Sequence, residues 1–331
     1  MKVLFHRALV WLKRWKRRFL LLIGQLGLNS TKDANINVIH QKDLGSSRGV
    51  PDLTGQISKE SSRYPIAQGS LGDVWKCIRM YPQLEVAVKC LRIEVPDDGC
   101  KKEITEKLEH ELQQNAQLKH NNLLPLLGTT QGFGPLPALV SPWMHNGSLT
   151  MLLERDFQQL TIIQKLQILN DVASALQYLH SHNVVHGDLT GNNILINENG
   201  NAFVADQGIL TFCSELHGTS YITSSVRWAA PENFQVPEDE ESSSPKSPSD
   251  VYSFGCVMLQ VLTGKVPYYE CRSDHQVTVK ILRGNKPARP VTPHIEDPLW
   301  DFVQTCWLDA ERRPSAEEVL EFIQGQLKLK V

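Results

Sequence analysis

The stretch that decides the reading of this chain is His186-Gly187-Asp188-Leu189-Thr190-Gly191-Asn192-Asn193-Ile194-Leu195-Ile196, followed by Phe203-Val204-Ala205-Asp206-Gln207-Gly208. Between them Asn199-Gly200 marks a tight turn, so two acids and an amide, Asp188, Asp206 and Asn193, converge. Working outward toward the N-terminus, Val86-Ala87-Val88-Lys89 reads as a strand. Its alternation puts Ala87 and Lys89 on one face, so that a small residue admits a flat ring while a cation beside it reaches phosphates. The plainer reading is an edge-strand lysine. Upstream, Ala67-Gln68-Gly69-Ser70-Leu71-Gly72-Asp73-Val74 has the texture of a glycine-rich phosphate loop with Ala in place of the first Gly. Alone this signal is weak, because paired glycines also make ordinary turns. Glu111 sits beside the apolar stripe Ile104, Leu108, Leu112, Ala116 of an intervening helix and is placed to hold Lys89 as an ion pair; the alternative is a solvated helix carboxylate.

In order and spacing these segments resemble the protein kinase family, whose catalytic loop reads His-Arg-Asp-Leu-x-x-x-Asn and whose magnesium motif reads Asp-Phe-Gly. The resemblance continues through Arg227-Trp228-Ala229-Ala230-Pro231-Glu232, Asp250-Val251-Tyr252-Ser253-Phe254-Gly255 and Arg312-Arg313-Pro314-Ser315, and covers residues 60–329. It implies an α+β, bilobal kinase fold: a small β-rich N-lobe with one helix over about 60–141, and a larger, mainly helical C-lobe over about 145–329. It implies ATP and Mg2+ as cofactors and a protein hydroxyl as acceptor. Carried over by residue, Asp188 is the base, Asn193 and Asp206 are the magnesium ligands, and Lys89 positions the α- and β-phosphates, locked by Glu111. The loop Ala67, Gly69, Gly72 covers the nucleotide. Adenine lies between Val74 and Ala87 above and Leu195 below, with Ser141 at the gatekeeper position and the Met144 main chain at the hinge. Pro142 lacks an N–H, yet that position supplies only its carbonyl. Glu232 and Arg313 are expected to form a buried salt bridge.

Four departures from the family pattern bear on activity. Ala67 replaces a loop glycine. Gly187 replaces the Arg that receives an activation-loop phosphate. Thr190 replaces a basic residue that assists the transferring phosphate. Gln207 replaces the Phe of the magnesium motif, and the side chains of Asn115, one helical turn past Glu111, and Gln207 are expected to hydrogen-bond in place of the usual apolar contact. Because the five polar residues that the reaction needs are all present, the leading expectation is an active kinase; the rival is a pseudokinase acting as a nucleotide-binding or structural scaffold. Arg227-Trp228 and Gln304-Thr305-Cys306-Trp307 resemble the tyrosine-kinase-like group, and the His-Gly-Asp-Leu loop its fungal members. The catalytic loop lacks the Ala-Ala-Arg or Arg-Ala-Ala pattern of dedicated tyrosine kinases, which favours serine/threonine transfer.

Composition agrees with a globular protein. The 331 residues are 41% hydrophobic and 21% charged, enough apolar material for a sizeable core. Seven scattered cysteines with no CxxC spacing indicate neither a disulfide framework nor a zinc site, and fit a reducing, cytoplasmic compartment. The formal charge of −2 conceals an asymmetry: eight of the 34 Lys and Arg and none of the 36 acids lie in residues 1–32, so 26 bases face 36 acids in the remainder. Residues 1–28 form a cationic amphipathic helix on the wheel, with Trp11, Trp15 and Phe19 on one face and Lys13, Arg14, Arg17 and Arg18 opposite. That pattern suits an anionic membrane surface; mitochondrial targeting and packing on the body or a partner stay open. Residues 29–59 read as a flexible linker, and Pro237–Pro248 as a solvated acidic loop whose Ser244-Pro245 and Ser247-Pro248 suit proline-directed kinases. Nothing points to nucleic acid, and no oligomeric state is legible.

Overall fold

The computed structural model describes residues 49–59, 64–68, 71–207, 209, 212, 216, 225–234 and 246–330. The cationic leader, Gly69, most of the activation segment and the acidic loop at 235–245 lie outside the described residues.

The N-lobe is built on strands β1 (Ile57–Lys59), β2 (Ala67–Gln68), β3 (Gly72–Met80), β4 (Gln83–Leu91), β5 (Gly128–Thr130) and β6 (Ala138–Pro142). They form one antiparallel sheet in the order β1-β3-β4-β6-β5, with β2 also on β3. Period-two alternation divides its faces. Val86, Val88, Cys77, Ala138 and Val140 are fully buried against Leu53 on one side. The opposite side carries Ala87 and Lys89 with their cross-strand partners: Val74 faces Lys89, and Ser141 faces Ala87. The register therefore gathers the expected adenine and phosphate positions on one surface. Gly72 has a packing reason of its own, since a Cβ there would lie 2.0 Å from the Cys90 carbonyl oxygen.

Helix α1 (Asp98–Asn115) starts at Asp97, whose carboxylate accepts the Cys100 N–H at 2.8 Å, an N-cap that satisfies one orphan donor. Its buried Leu108 and Leu112 join Leu71, Leu91, Ile93 and Leu136, and also Ile209 and Phe212 from the activation segment.

The expected flexible linker ends earlier than residue 59. Leu53 is 2% exposed, its N–H donates to Thr129 O at 2.7 Å, and Thr129 N–H returns to Pro51 O at 2.8 Å. Residues 50–59 thus belong to the N-lobe. A buried leucine and two paired backbone groups outweigh the chain entropy that a polar composition would otherwise leave free.

The C-lobe consists of α2 (Leu149–Asp156), α3 (Ile162–Ser181), the hairpin β7 (Ile194–Ile196) and β8 (Ala202–Val204), then α4 (Ser247–Thr263), α5 (Asp274–Leu282), α6 (Asp297–Cys306) and α7 (Ala316–Lys330). Helix α3 opens with a capping box, Thr161 and Gln164 exchanging side-chain and backbone hydrogen bonds. Helix α4 is buried from Ser249 to Thr263, so it forms the axis of this lobe. It begins with Pro248 in its first turn and stops at Gly264 (φ 69°), whose N–H bonds Gln260 O at 2.8 Å. Ser247-Pro248, expected in the solvated loop, is therefore the first turn of α4.

Arg313 closes the lobe. Its Nη2 donates to Glu232 Oε2 at 2.9 Å while Nη1 meets Glu232 Oε1 and donates to Pro248 O at 2.9 Å; Nε donates to Leu308 O at 2.8 Å. The guanidinium is 3% exposed and the carboxylate 34%, a bidentate pair sealed on the arginine side. The bilobal α+β architecture read from the sequence is the observed one.

Candidate active site

Between the lobes, the β7–β8 hairpin sets the geometry. Ile194 pairs with Val204 and Leu195 with Phe203. The turn is fixed by Asn197, whose side-chain oxygen accepts the N–H of Asn199 at 3.0 Å and of Asn201 at 2.9 Å, and by Gly200 at φ 83°. Closing the hairpin, Ala205 N–H donates to Asn193 O at 2.9 Å, which brings the residue after Ala205 beside Asn193. That residue, Asp206, has φ 66°, a left-handed conformation uncommon outside glycine and found where surrounding structure over-determines the backbone. Lys89 Nζ reaches it from β4 and donates to Asp206 Oδ2 at 2.5 Å, both side chains 18% exposed.

Asn193 Nδ2 donates to Asp188 Oδ2 at 2.8 Å and to Asp188 O at 2.9 Å. Asp188 is buried, and that burial pushes its carboxyl above the usual carboxylate range, opposed first by neighbouring His186. Asp188 Oδ1 has no hydrogen-bond partner among the described residues; Ser225 stands beside the carboxylate without closing a bond to that atom. A buried carboxylate oxygen left open costs free energy unless a ligand donor completes it. A substrate hydroxyl is such a donor.

One residue that the sequence reading left without a role holds this loop. Asp250, 1% exposed on α4, accepts the N–H of His186 on Oδ2 at 2.8 Å and of Gly187 on Oδ1 at 2.8 Å, and pairs with His180 Nε2 at 2.9 Å. An acid inside the otherwise apolar pattern Val251, Phe254, Met258, Val261 was the available signal. Gly187 itself has φ 78°. Besides removing a phosphate-binding Arg, this glycine relieves a left-handed backbone position.

Lys89, which the sequence reading pairs with Glu111, is engaged by Asp206. Glu111 lies half-buried on α1. The expected pairing of side chains at Asn115 and Gln207 is also corrected, because Asn115 Nδ2 donates at 3.1 Å to the main-chain carbonyl of Gln207. A backbone oxygen is available whatever the side chain, so the polar contact does not depend on glutamine. Ala67 is exposed on β2 and Gly72 opens β3. Met144 is buried after β6, and Leu195 is half-buried on β7.

A comparison with protein families matches residues 61–323 to the family described as protein tyrosine and serine/threonine kinase. The chain belongs to that family. Among curated proteins this kinase-family chain is 30% identical over 264 residues to serine/threonine-protein kinase STY46 of Arabidopsis thaliana, covering 79% of the chain and 43% of that protein. It is 30% identical over 285 residues to mitogen-activated protein kinase kinase kinase 3 of Arabidopsis thaliana, covering 86% and 48%. It is 31% identical over 271 residues to human ephrin type-A receptor 1, covering 79% and 26%. The kinase-family chain thus spans less than half the length of these relatives.

The donor set fits the family's metal. Among the described residues no group of three His, Cys, Asp or Glu is arranged around a common point, and Mg2+ needs none, being bound through one or two carboxylates together with substrate phosphates. Asp206 offers a carboxylate and Asn193 an amide oxygen, both hard ligands, the Asn193 nitrogen being committed to Asp188.

Proposed function

We propose that the chain is an active protein kinase that transfers the γ-phosphate of ATP to a serine or threonine hydroxyl. The observation that carries this reading is the buried Oδ1 of Asp188, without a hydrogen-bond partner among the described residues, beside Asn193 and Asp206, with Lys89 reaching Asp206 from the N-lobe sheet. Lys89 binds the α- and β-phosphates, and Val74, Ala87 and Leu195 hold adenine against the Met144 main chain. Asp188 Oδ1 accepts the hydrogen bond of the acceptor hydroxyl and orients its oxygen in line with the γ-phosphorus. As the oxygen–phosphorus bond forms and the bond to the β-phosphate oxygen breaks, the proton passes to Asp188 and ADP leaves. Asp206 and Asn193 would hold the magnesium ion, which when bound would supply positive charge to the phosphates.

The serine/threonine preference rests on the relatives named as serine/threonine kinases and on the catalytic loop, Asp188-Leu-Thr-Gly-Asn-Asn193. Incubating the full chain with Mg-ATP and a generic acceptor protein, then identifying the phosphorylated amino acid, tests it: phosphoserine or phosphothreonine is expected, and phosphotyrosine alone would overturn it.

We further infer that residues 1–28 associate with anionic membrane surfaces. The basic and aromatic residues that recur at helical spacing in this part of the sequence support the reading. Flotation of the full chain with anionic liposomes should be lost in the Arg17→Glu/Arg18→Glu variant; equal flotation of both excludes electrostatic attachment.

A further inference from the structure

Thr190 stands where the family resemblance places a basic residue, yet it is 4% exposed and its hydroxyl is occupied by the main chain. Thr190 Oγ1 accepts the N–H of Asn192 at 3.2 Å and of Asn193 at 3.3 Å, and its carbonyl takes a second share of the Asn193 N–H at 3.1 Å. A threonine side chain bonding the backbone two and three residues on closes a local turn, and branching at Cβ leaves it few rotamers in which to do otherwise. The far side of the same turn is packed. Gly191 O accepts the Thr150 N–H at 3.0 Å, and a Cβ at Gly191 would lie 2.4 Å from Gln260 Oε1 and 2.7 Å from Thr150 Oγ1. Gln260 is itself fixed, receiving Trp228 Nε1–H at 3.2 Å and donating to Thr150 Oγ1 at 3.1 Å.

The loop from Asp188 to Asn193 is therefore clamped from outside by α2 and α4 and from inside by one hydroxyl. We propose that Thr190 is a positioning residue for the metal site: its hydroxyl sets the turn that aims the Asn193 amide, nitrogen to Asp188 and oxygen to magnesium. The substitution of a basic residue is then an exchange of roles, a phosphate contact given up for a more rigid ligand. The inference rests on the kinase reading only in taking Asn193 as a magnesium ligand.

The test measures ATP binding to the full chain by calorimetry with and without Mg2+, alongside phosphate transfer, for the wild type, Thr190→Val, Thr190→Ser and Thr190→Lys. Valine keeps the shape and removes the acceptor. It should lose about tenfold of the magnesium-dependent gain in ATP affinity while metal-free affinity stays unchanged, the scale on which outer-shell partners of metal ligands act. Serine should restore the gain. Lysine should behave as valine does and should not raise the transfer rate. A valine variant with the full magnesium-dependent gain, a lysine variant with faster transfer and an intact gain, or a wild type whose ATP affinity ignores Mg2+ each overturns the proposal. A wild type that shows the gain but transfers nothing leaves the positioning role standing and refutes the catalytic reading instead.

Discussion

Lys89 Nζ and Asp206 Oδ2 meet at 2.5 Å across 117 positions of sequence, joining the cleft face of the N-lobe sheet to the residue just past the β7–β8 hairpin. The contact joins the residue assigned to the phosphates to one assigned to the metal. Because both side chains are mostly shielded from water, the pair is stronger than an exposed one. Neutralising the acid removes this partner of the lysine and a proposed metal ligand together. Asp206→Asn is expected to lower kcat/KM for Mg-ATP by about 100-fold or more, on the scale of removing one preorganised electrostatic group, as read in a steady-state transfer assay.

The raised carboxyl of Asp188 gives a paired expectation. A base must be ionised to work, so the acid limb of the kcat profile should fall at a higher pH than an ordinary aspartate would give. In stability the sign is the reverse. With the folded pKa above the unfolded value, the native state holds more protons as pH rises from the unfolded pKa toward the folded one, so folding is penalised at higher pH. Asp188→Asn should therefore flatten the acid limb of the transfer that remains, while raising Tm at neutral pH. A lowered Tm would show that the buried charge is not a burden on the fold.

Arg313 makes four hydrogen bonds from a nearly sealed position. Arg313→Ala strands a carboxylate and two main-chain carbonyls, and is expected to cost about 3–5 kcal/mol in denaturant unfolding. Glu232→Gln should fall at or below the lower end, because its carboxylate is one-third exposed and water can replace part of what is lost.

The family match begins at residue 61, but the folded N-lobe begins near residue 50. Leu53→Ala should destabilise by about 2–4 kcal/mol, the range for truncating a buried leucine. Removing residues 1–60 should lower the unfolding midpoint of the kinase unit below that of a chain lacking only residues 1–48. Equal midpoints for the two truncations would contradict the docking of this segment.

The parts of the site that were legible in the sequence share a physical reason. Asn193 and Asp206 flank one short hairpin whose turn residues announce themselves, Asp188 lies five positions before Asn193, and Ala87 and Lys89 follow from strand alternation. The contacts that were not legible cross between elements. The acidity of Asp206 did not announce that Lys89 would reach it from the N-lobe sheet. Nothing local revealed that Asn115 would bond a backbone oxygen, or that Asp250 would turn its carboxylate toward the catalytic loop. The polar stretch around Leu53 was read as a linker because one leucine and two backbone hydrogen bonds leave almost no periodic trace. Thr190 was read as a loss for a similar reason: a hydroxyl that serves the main chain has no sequence signature.

The measurement that bears most directly on the central claim is phosphate transfer from Mg-ATP by the full chain, set against Asp188→Asn, with folding of both proteins checked by thermal unfolding. The expected result is transfer by the intact protein and a loss of about 100-fold or more in the variant, the scale of general-base catalysis together with orientation of the acceptor. Equal signals from two well-folded proteins, or none from either, would contradict it and leave a nucleotide-binding scaffold built on the same fold.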